Sequence, residues 1–290
     1  MRAFYENRSY SSEIPVSASL NQNLDFVAHW HKDIEMIYVC DGQIGMGINS
    51  DYKVLQKGET AICGSNDIHY YDSKDMSSTV IMIIFRPEVL EQFKHIYESP
   101  QPISAFFDRT FCCEKEDAER IQTAIKSVFN SIVDEMRQKE ELYSPFTLLR
   151  ILELFLTLFR HFPDYHSESL TRYKAPGISL DITPMQKALK FIEENYTQEI
   201  TLEQAASEAE LSRFYFSRLF HKTTGMNFNA YLTRIRTDKA EMLLKGTSLP
   251  IINIAYESGF NSIRTFNRSF KAIKGCTPKS LRRTPVNCPL

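Results

Sequence analysis

A chain of 290 residues with 43% hydrophobic and 24% charged residues has the length of two domains and the composition of an ordinary soluble globular protein, which excludes a disordered or fibrous chain. The net charge of -2 hides an asymmetry: Pro184 to the end carries 16 Lys and Arg against 9 Asp and Glu, a net +7, whereas the first 183 residues carry 18 against 27, a net -9. A basic C-terminal block is a phosphate-binding footprint and the acidic remainder is repelled by DNA, so nucleic-acid contact is expected from the C-terminal part alone.

No run is long and apolar enough to span a membrane, and Met1 to Glu6 lacks a signal-peptide core, which predicts a cytoplasmic protein with no membrane partner. Six Cys at irregular positions, Cys112 and Cys113 adjacent among them, make neither a zinc spacing nor a disulfide framework and are expected to be free thiols.

In chain order, the first elements are short β-rich runs: Phe26 to His31, Glu35 to Cys40, Gln43 to Asn49, Lys53 to Gln56, Thr60 to Cys63 and Thr79 to Phe85. They are broken at Asp41-Gly42, Lys57-Gly58 and Gly64-Ser65-Asn66. Short strands at this spacing predict a small antiparallel barrel or sandwich. Two helices follow. Glu116 to Lys139 places Ile121, Ile125, Val128, Phe129, Ile132, Val133 and Met136 at helical spacing, and Pro145 to Phe162 is nearly saturated with Leu and Phe. The second is too apolar for a surface helix, so it packs on the first helix and the barrel or meets a second chain. Ser167 to Thr183, with Ser, Pro176 and Gly177 and few large apolar residues, reads as a linker. Thr183 and Pro184 then suit the cap and first position of a new helix, whose packing face is Met185, Ala188, Leu189, Ile192 and Tyr196.

The last hundred residues contain a near-repeat. Phe216, Arg218, Phe220 and Gly225 recur fifty residues later as Phe266, Arg268, Phe270 and Gly275. Upstream the offset is forty-nine, since Leu202 answers to Ile251, Ala206 to Ala255 and Leu211 to Phe260. One extra residue just before Ser262 therefore marks a turn, and each copy reads as a helix-turn-helix, the layout that lays its second helix in the DNA major groove.

Local signals agree. Thr201 with Gln204 is a capping box ahead of Leu202, Ala205 and Ala206, and Ser212 suits the cap of a helix whose core face is Phe216, Leu219 and Phe220. The opposite face offers Arg213, Phe214, Ser217, Arg218 and His221 to DNA. In the second copy Pro250 suits a first helical turn, Gly259 supplies the turn residue, and Ile263, Arg264, Thr265, Asn267, Arg268 and Lys271 are left for DNA beside buried Phe266 and Phe270. Between the copies, Phe228, Tyr231, Leu232, Ile235, Ala240, Leu243 and Leu244 keep a helical period, so one long helix spaces the two units to read successive major grooves, about 34 Å apart.

On Ala206, Leu211, Arg218, Phe220, Gly225, Arg236, Ala240, Ile254, Ala255, Gly259, Phe260, Phe266, Arg268, Phe270, Lys271, Gly275 and Pro278, this segment resembles the AraC/XylS family of transcription regulators. It departs from the family where Glu210 takes the place of the usual turn Gly. A left-handed backbone there costs an L-residue on the order of 1 to 2 kcal/mol. The N-terminal half resembles the cupin-like sensor domain often fused to such modules, on His29, His31, Glu35, Gly42, Gly58, His69 and the run Phe85-Arg86-Pro87. In metal-binding cupins these positions hold a metal, and three imidazoles with one carboxylate suit Zn, Fe or Mn. Here the later motif is altered, with Gly64 for Pro and Asn66 for Gly. The expectation is accordingly no metal and no cofactor, with His29, His31, Glu35 and His69 as the residues that would ligate an ion.

A pocket for a small organic effector is expected instead, lined by His31, Glu35, Tyr38, His69, Tyr71 and Met82, with Trp30 and Tyr71 suited to stacking on a sugar. The resemblance also implies dimerisation through the helical pair and contact with RNA polymerase. The fold class is thus α+β multidomain: a cupin-like barrel over 1–112, a helical dimerisation segment over 113–166, a linker over 167–183 and an all-α module over 184–290. The module holds helix-turn-helix units at 201–223 and 250–274. The implied function is sequence-specific binding of double-stranded promoter DNA by a ligand-responsive activator, of carbohydrate genes if the effector is a sugar, and not an enzyme. The alternatives are a metal-dependent cupin enzyme with an accessory DNA-binding module, and a dimeric regulator that senses nothing.

Overall fold

The computed structural model describes residues 10, 13–91, 105–107, 115–161 and 183–283. They divide into two compact units, one made chiefly of Trp30–Asp181 and the other chiefly of Ile182–Leu290. The linker expected over 167–183 lies, apart from Thr183, outside the described residues, as do Cys112 and Cys113. Cys40, Cys63 and Cys276 are free thiols. No helix among the described residues is long and apolar enough to cross a membrane.

The N-terminal unit is a curled antiparallel sheet, a half-barrel. Its strands are β1 (Val16–Gln22), β2 (Phe26–His29), β3 (Ile34–Ile48), β4 (Asp51–Gln56), β5 (Thr60–Cys63), β6 (His69–Asp72), β7 (Ser78–Phe85) and β8 (Ala105–Phe107), with a short helix α1 (Glu88–Glu91) after β7. The main path runs β1-β7-β3-β5-β8, while β4 and β6 pair with β3, and β2 with β6. The first half of β3 pairs with β7 and β5, and its second half, Gln43 to Ile48, with β4 and β6. One bent strand thereby joins both parts of the sheet.

That bend corrects an expectation. Asp41-Gly42 is not a break between two strands but a bulge within β3, where the register against β7 shifts between Val39 and Asp41. Gly42 is left-handed at φ +72, and a Cβ there would meet the Ser77 carbonyl at 1.9 Å. Only glycine admits that approach. The strand β1 was not expected either; its seven residues all pair with β7 although Ser17, Ser19, Asn21 and Gln22 have little strand preference.

Alternation along β3 separates two cores. Met36 and Tyr38 face outward with Ile81, Ile83 and Phe85, and this face is covered by α2 (Lys115–Gln138) and α3 (Tyr143–His161). Ile37, Val39, Ile44, Met46 and Leu55 fill the inner face. The expected stripe on α2 packs on the outer face: Ile121, Ile125, Val128, Phe129 and Ile132 are buried, Val133 and Met136 partly so.

The C-terminal unit comprises α4 (Thr183–Asn195), α5 (Leu202–Glu208), α6 (Arg213–Thr224), α7 (Phe228–Gly246), α8 (Ile251–Glu257), α9 (Ile263–Lys274) and α10 (Pro278–Arg283). The duplication extends to helix lengths and to the caps of the second helix in each copy. Helices α5 and α8 have seven residues each at an offset of forty-nine, and α6 and α9 twelve each at an offset of fifty. The extra residue is Asn261. Ser212 and Ser262 accept from the backbone N–H three residues on, and Gly225 and Gly275 close the helices in the left-handed conformation, both at φ 70. The capping box of Thr201 and Gln204 is formed in both directions. Helix α7, 19 residues and about 28 Å long, is unbroken. Phe216 and Phe220 pack with Phe228 and Tyr231 on its first part, and Phe260, Phe266 and Phe270 with Ala240 and Leu244 on its second.

Candidate functional site

Burial of two aromatic residues four apart fixes which side of α6 and of α9 is free. Phe216 and Phe220 are buried, which turns Arg213, Phe214, Ser217, Arg218 and His221 outward on one face. Phe214 is 75% exposed, and the Arg218 guanidinium lies over its ring, 5.9 Å from the centroid. Arg213 Nε meets Glu203 of α5 at 2.6 Å, a pair that DNA phosphates would compete for. On α9, Arg264, Thr265, Asn267, Arg268 and Lys271 are exposed. Ile263 departs from expectation. It is half-buried, packed against the core formed by Ala240, Ile254, Phe260, Phe266 and Phe270.

Two polar connections hold these faces in place. Arg236 of α7 donates through Nε to the Tyr196 carbonyl and through Nη2 to the Gln198 carbonyl, each at 2.7 Å. Gly259, left-handed at φ +83 in the second turn, lies so close that a Cβ would stand 2.5 Å from that same Tyr196 oxygen. The spacer helix, the loop ahead of α5 and the turn ahead of α9 therefore meet at one clamp. Lys274 at the end of α9 contacts Asp238 at 2.6 Å and Glu241 at 2.5 Å, both on α7. Burial pulls the Lys274 amine down, but the two carboxylates outweigh it and hold its affinity for a proton above the ordinary lysine value. The first unit is pinned differently. Glu210 is left-handed at φ 57, as the missing Gly implied, and its carboxylate meets Lys187 of α4 at 2.6 Å.

The end of β2, the segment that joins it to β3, the first residues of β3 and the start of β6 carry His29, His31, Glu35 and His69, all buried. One ligand atom from each lies within 4.8 Å of the others. His31 Nε2 is 3.1 Å and His69 Nε2 3.7 Å from Glu35 Oε2, while the Tyr71 hydroxyl donates to Oε1. Each imidazole also turns Nδ1 to a carbonyl: His29 to Val27 at 3.0 Å, His31 to Asp33 at 2.9 Å and His69 to Asp67 at 3.0 Å. Burial raises the Glu35 carboxyl, but hydrogen bonds and charge from His31 and His69 outweigh it and hold the group well below the usual carboxylate range. Burial likewise lowers His69, and the Glu35 carboxylate more than reverses this, leaving it above the ordinary imidazole value.

The structure brings four of the six expected lining residues, His31, Glu35, His69 and Tyr71, to one place. Met82 is half-buried on the inner face, packed against the cluster that holds Ile37, Val39 and Tyr71. Tyr38 is a correction: it lies on the opposite face of β3, its ring tilted against Phe129 of α2 at 5.4 Å between centroids. Strand parity is the reason, since Glu35 and Tyr38 are three apart. His29 belongs to the cluster instead. Sequence reading missed the groups that position the loop before His69. Asp67 accepts from the Gly64 N–H and from Asn49 Nδ2, and Asn49 in turn accepts from the Ile68 N–H. Asn66 is left-handed at φ 67, a conformation Asn tolerates, so this turn survives the loss of its usual Gly.

Residues 18–154 match the AraC-like ligand binding domain, and residues 205–284 match a helix-turn-helix domain. YdeC of Bacillus subtilis (strain 168), an HTH-type transcriptional regulator, is 24% identical over 284 residues, 93% of this chain and 92% of YdeC. The transposon Tn10 TetD protein of Escherichia coli is 37% identical over 128 residues, 41% of this chain and 93% of TetD. The solved structure of fatty-acid-bound ToxT from Vibrio cholerae strain SCE256 is similar at a TM-score of 0.47 and 15% identity, over 98% of this chain and 100% of that one. With a duplicated helix-turn-helix module, a separate ligand-binding half-barrel and these sequence matches, the chain belongs to the AraC family and is a DNA-binding, ligand-responsive transcription regulator.

Proposed function

We propose that the chain acts as a cytoplasmic homodimeric activator, without enzymatic activity, which sets α6 and α9 in successive major grooves of promoter DNA and meets RNA polymerase there. The observation that carries this reading is the duplication: two twelve-residue helices with matching caps present exposed arginines at equivalent positions, Arg218 and Arg268, on a unit of net positive charge. Phosphate contacts from such a face give affinity, and side chains at base edges give specificity. The effector is taken up at His31, Glu35, His69 and Tyr71. Dimerisation is supported by α3, where Phe146, Leu149 and Leu156 are exposed on one face, at steps of three and seven.

The fragment from Thr183 to Leu290 is expected to bind promoter DNA by itself, and the fragment from Met1 to Phe162 is not. With six to ten phosphate contacts, affinity falls on the order of 1,000- to 100,000-fold between about 50 and 200 mM salt. A promoter shift by the N-terminal fragment, or affinity indifferent to salt, would refute this division of labour.

A further inference from the structure

We infer that Glu203 is a positioning residue for base recognition: it holds the Arg213 guanidinium toward a guanine edge and keeps it off the phosphates. This rests on reading α6 as a helix laid in the major groove, and it names a residue that trades affinity for base preference there.

The first argument is place. Arg213 is the first residue of α6. In a helix-turn-helix the N-terminal residues of the second helix reach base edges, while the first helix crosses the backbone. Glu203 lies in the first turn of α5, so its carboxylate stands where phosphates approach. On a unit of net positive charge it opposes DNA binding. A carboxylate does suit the positive end of a helix, yet the equivalent turn of α8 carries none. An exposed ion pair, in turn, adds little to stability.

The second argument is geometry. Arg213 Nε lies 2.6 Å from Glu203 Oε1. That contact falls on the nitrogen nearest the chain, whereas the terminal pair supplies the fork that bonds O6 and N7 of guanine. With its side chain 70% exposed, Arg213 alone would sample many rotamers, and most of them would meet phosphate. Restricting it in advance lowers the ordering cost of the base contact.

The third argument comes from the repeat. At the offsets of forty-nine and fifty that relate the copies, Glu203 answers to Ile252 and Arg213 to Ile263. Both members are charged in the first unit and both are isoleucine in the second, where Ile263 packs on the core and Ile252 is exposed. The carboxylate is present where there is an arginine to hold and absent where there is none. The two units therefore read their halves of the site by different means.

The test uses the full-length protein and duplexes with a randomised core, the bound fraction being sequenced. The wild type is expected to favour guanine at one position by about 5- to 150-fold, a preference that Arg213→Ala abolishes. Glu203→Ala should lose most of that preference at that position alone. It should also bind unselected DNA more tightly, with a salt slope steeper by about one, as Arg213 turns to phosphate. Added to Arg213→Ala, the same change should leave the profile as it was. A merely structural role would weaken every position alike. An even loss, an unchanged profile, weaker binding of unselected DNA, or an effect of Glu203→Ala on the profile that persists without Arg213 overturns the inference. Arg218→Ala separates this from the underlying reading. If Arg218→Ala changes binding and Glu203→Ala does not, this inference alone falls; if neither Arg213→Ala nor Arg218→Ala changes binding, the placement of α6 in the groove falls instead.

Discussion

Replacing Gly259 by Ala probes the clamp on which both helix-turn-helix units converge. The residue is left-handed at φ +83, and an added Cβ would stand 2.5 Å from the Tyr196 carbonyl oxygen, 2.8 Å from Thr197 Cα and 2.9 Å from Arg236 Nε. The left-handed backbone costs an L-residue about 1 to 2 kcal/mol. Crowding against main-chain atoms that cannot swing aside adds about 1 to 3 kcal/mol, and the stiffer unfolded chain returns about 0.4 to 1 kcal/mol. The expected net loss is about 2 to 4 kcal/mol. Urea unfolding of the fragment from Thr183 to Leu290, followed by circular dichroism, should show the midpoint fall by about 1 to 3 M. Promoter affinity should drop with it, because the crowded oxygen is the one Arg236 Nε donates to. Glu210→Gly is the control at the equivalent turn of the first unit. There, relief of the left-handed strain opposes the added freedom of glycine when unfolded and the loss of an exposed contact with Lys187, so the midpoint should stay level or rise slightly. If Gly259→Ala proves as mild as Glu210→Gly, the steric account of the clamp is wrong.

Two further outcomes are expected. Arg218→Ala and Arg268→Ala should each reduce promoter affinity: a guanidinium on a guanine edge contributes about 1 to 3 kcal/mol of discrimination, and one on phosphate weakens all sequences alike. Titrations against promoter and unrelated DNA distinguish these roles, and unchanged affinity for both would remove the two residues from the interface. Leu149→Glu combined with Leu156→Glu puts charge on the exposed seam of α3 without touching its buried side, Ile151, Leu154, Phe155 and Leu158. Sedimentation should then report a monomer that still folds, and a dimer that persists would place the contact elsewhere.

Much of the C-terminal unit was determined by the sequence itself, because its signals are local. Capping boxes, Ser caps, left-handed glycines and aromatic pairs four apart act within one or two helical turns, so the repeat and its single inserted residue could be read from spacing. The amphipathic stripe of α2 was legible for the same reason. Tyr38 was misplaced in the pocket although strand parity, a local signal, separates it from Glu35. The tertiary structure decided the rest. That β3 continues through Gly42 depends on the approach of Ser77, thirty-five positions away, and β1 exists only because β7 offers it an edge. Ile263 looked free on its own helix but rests on a core assembled from other helices. The convergence of His69 with His29, His31 and Glu35 is set by the pairing of Ile48 with His69 and of Gly47 with Tyr70. Cross-strand register is fixed by the hydrophobic faces of strands far apart in the chain, and no short stretch of sequence contains it.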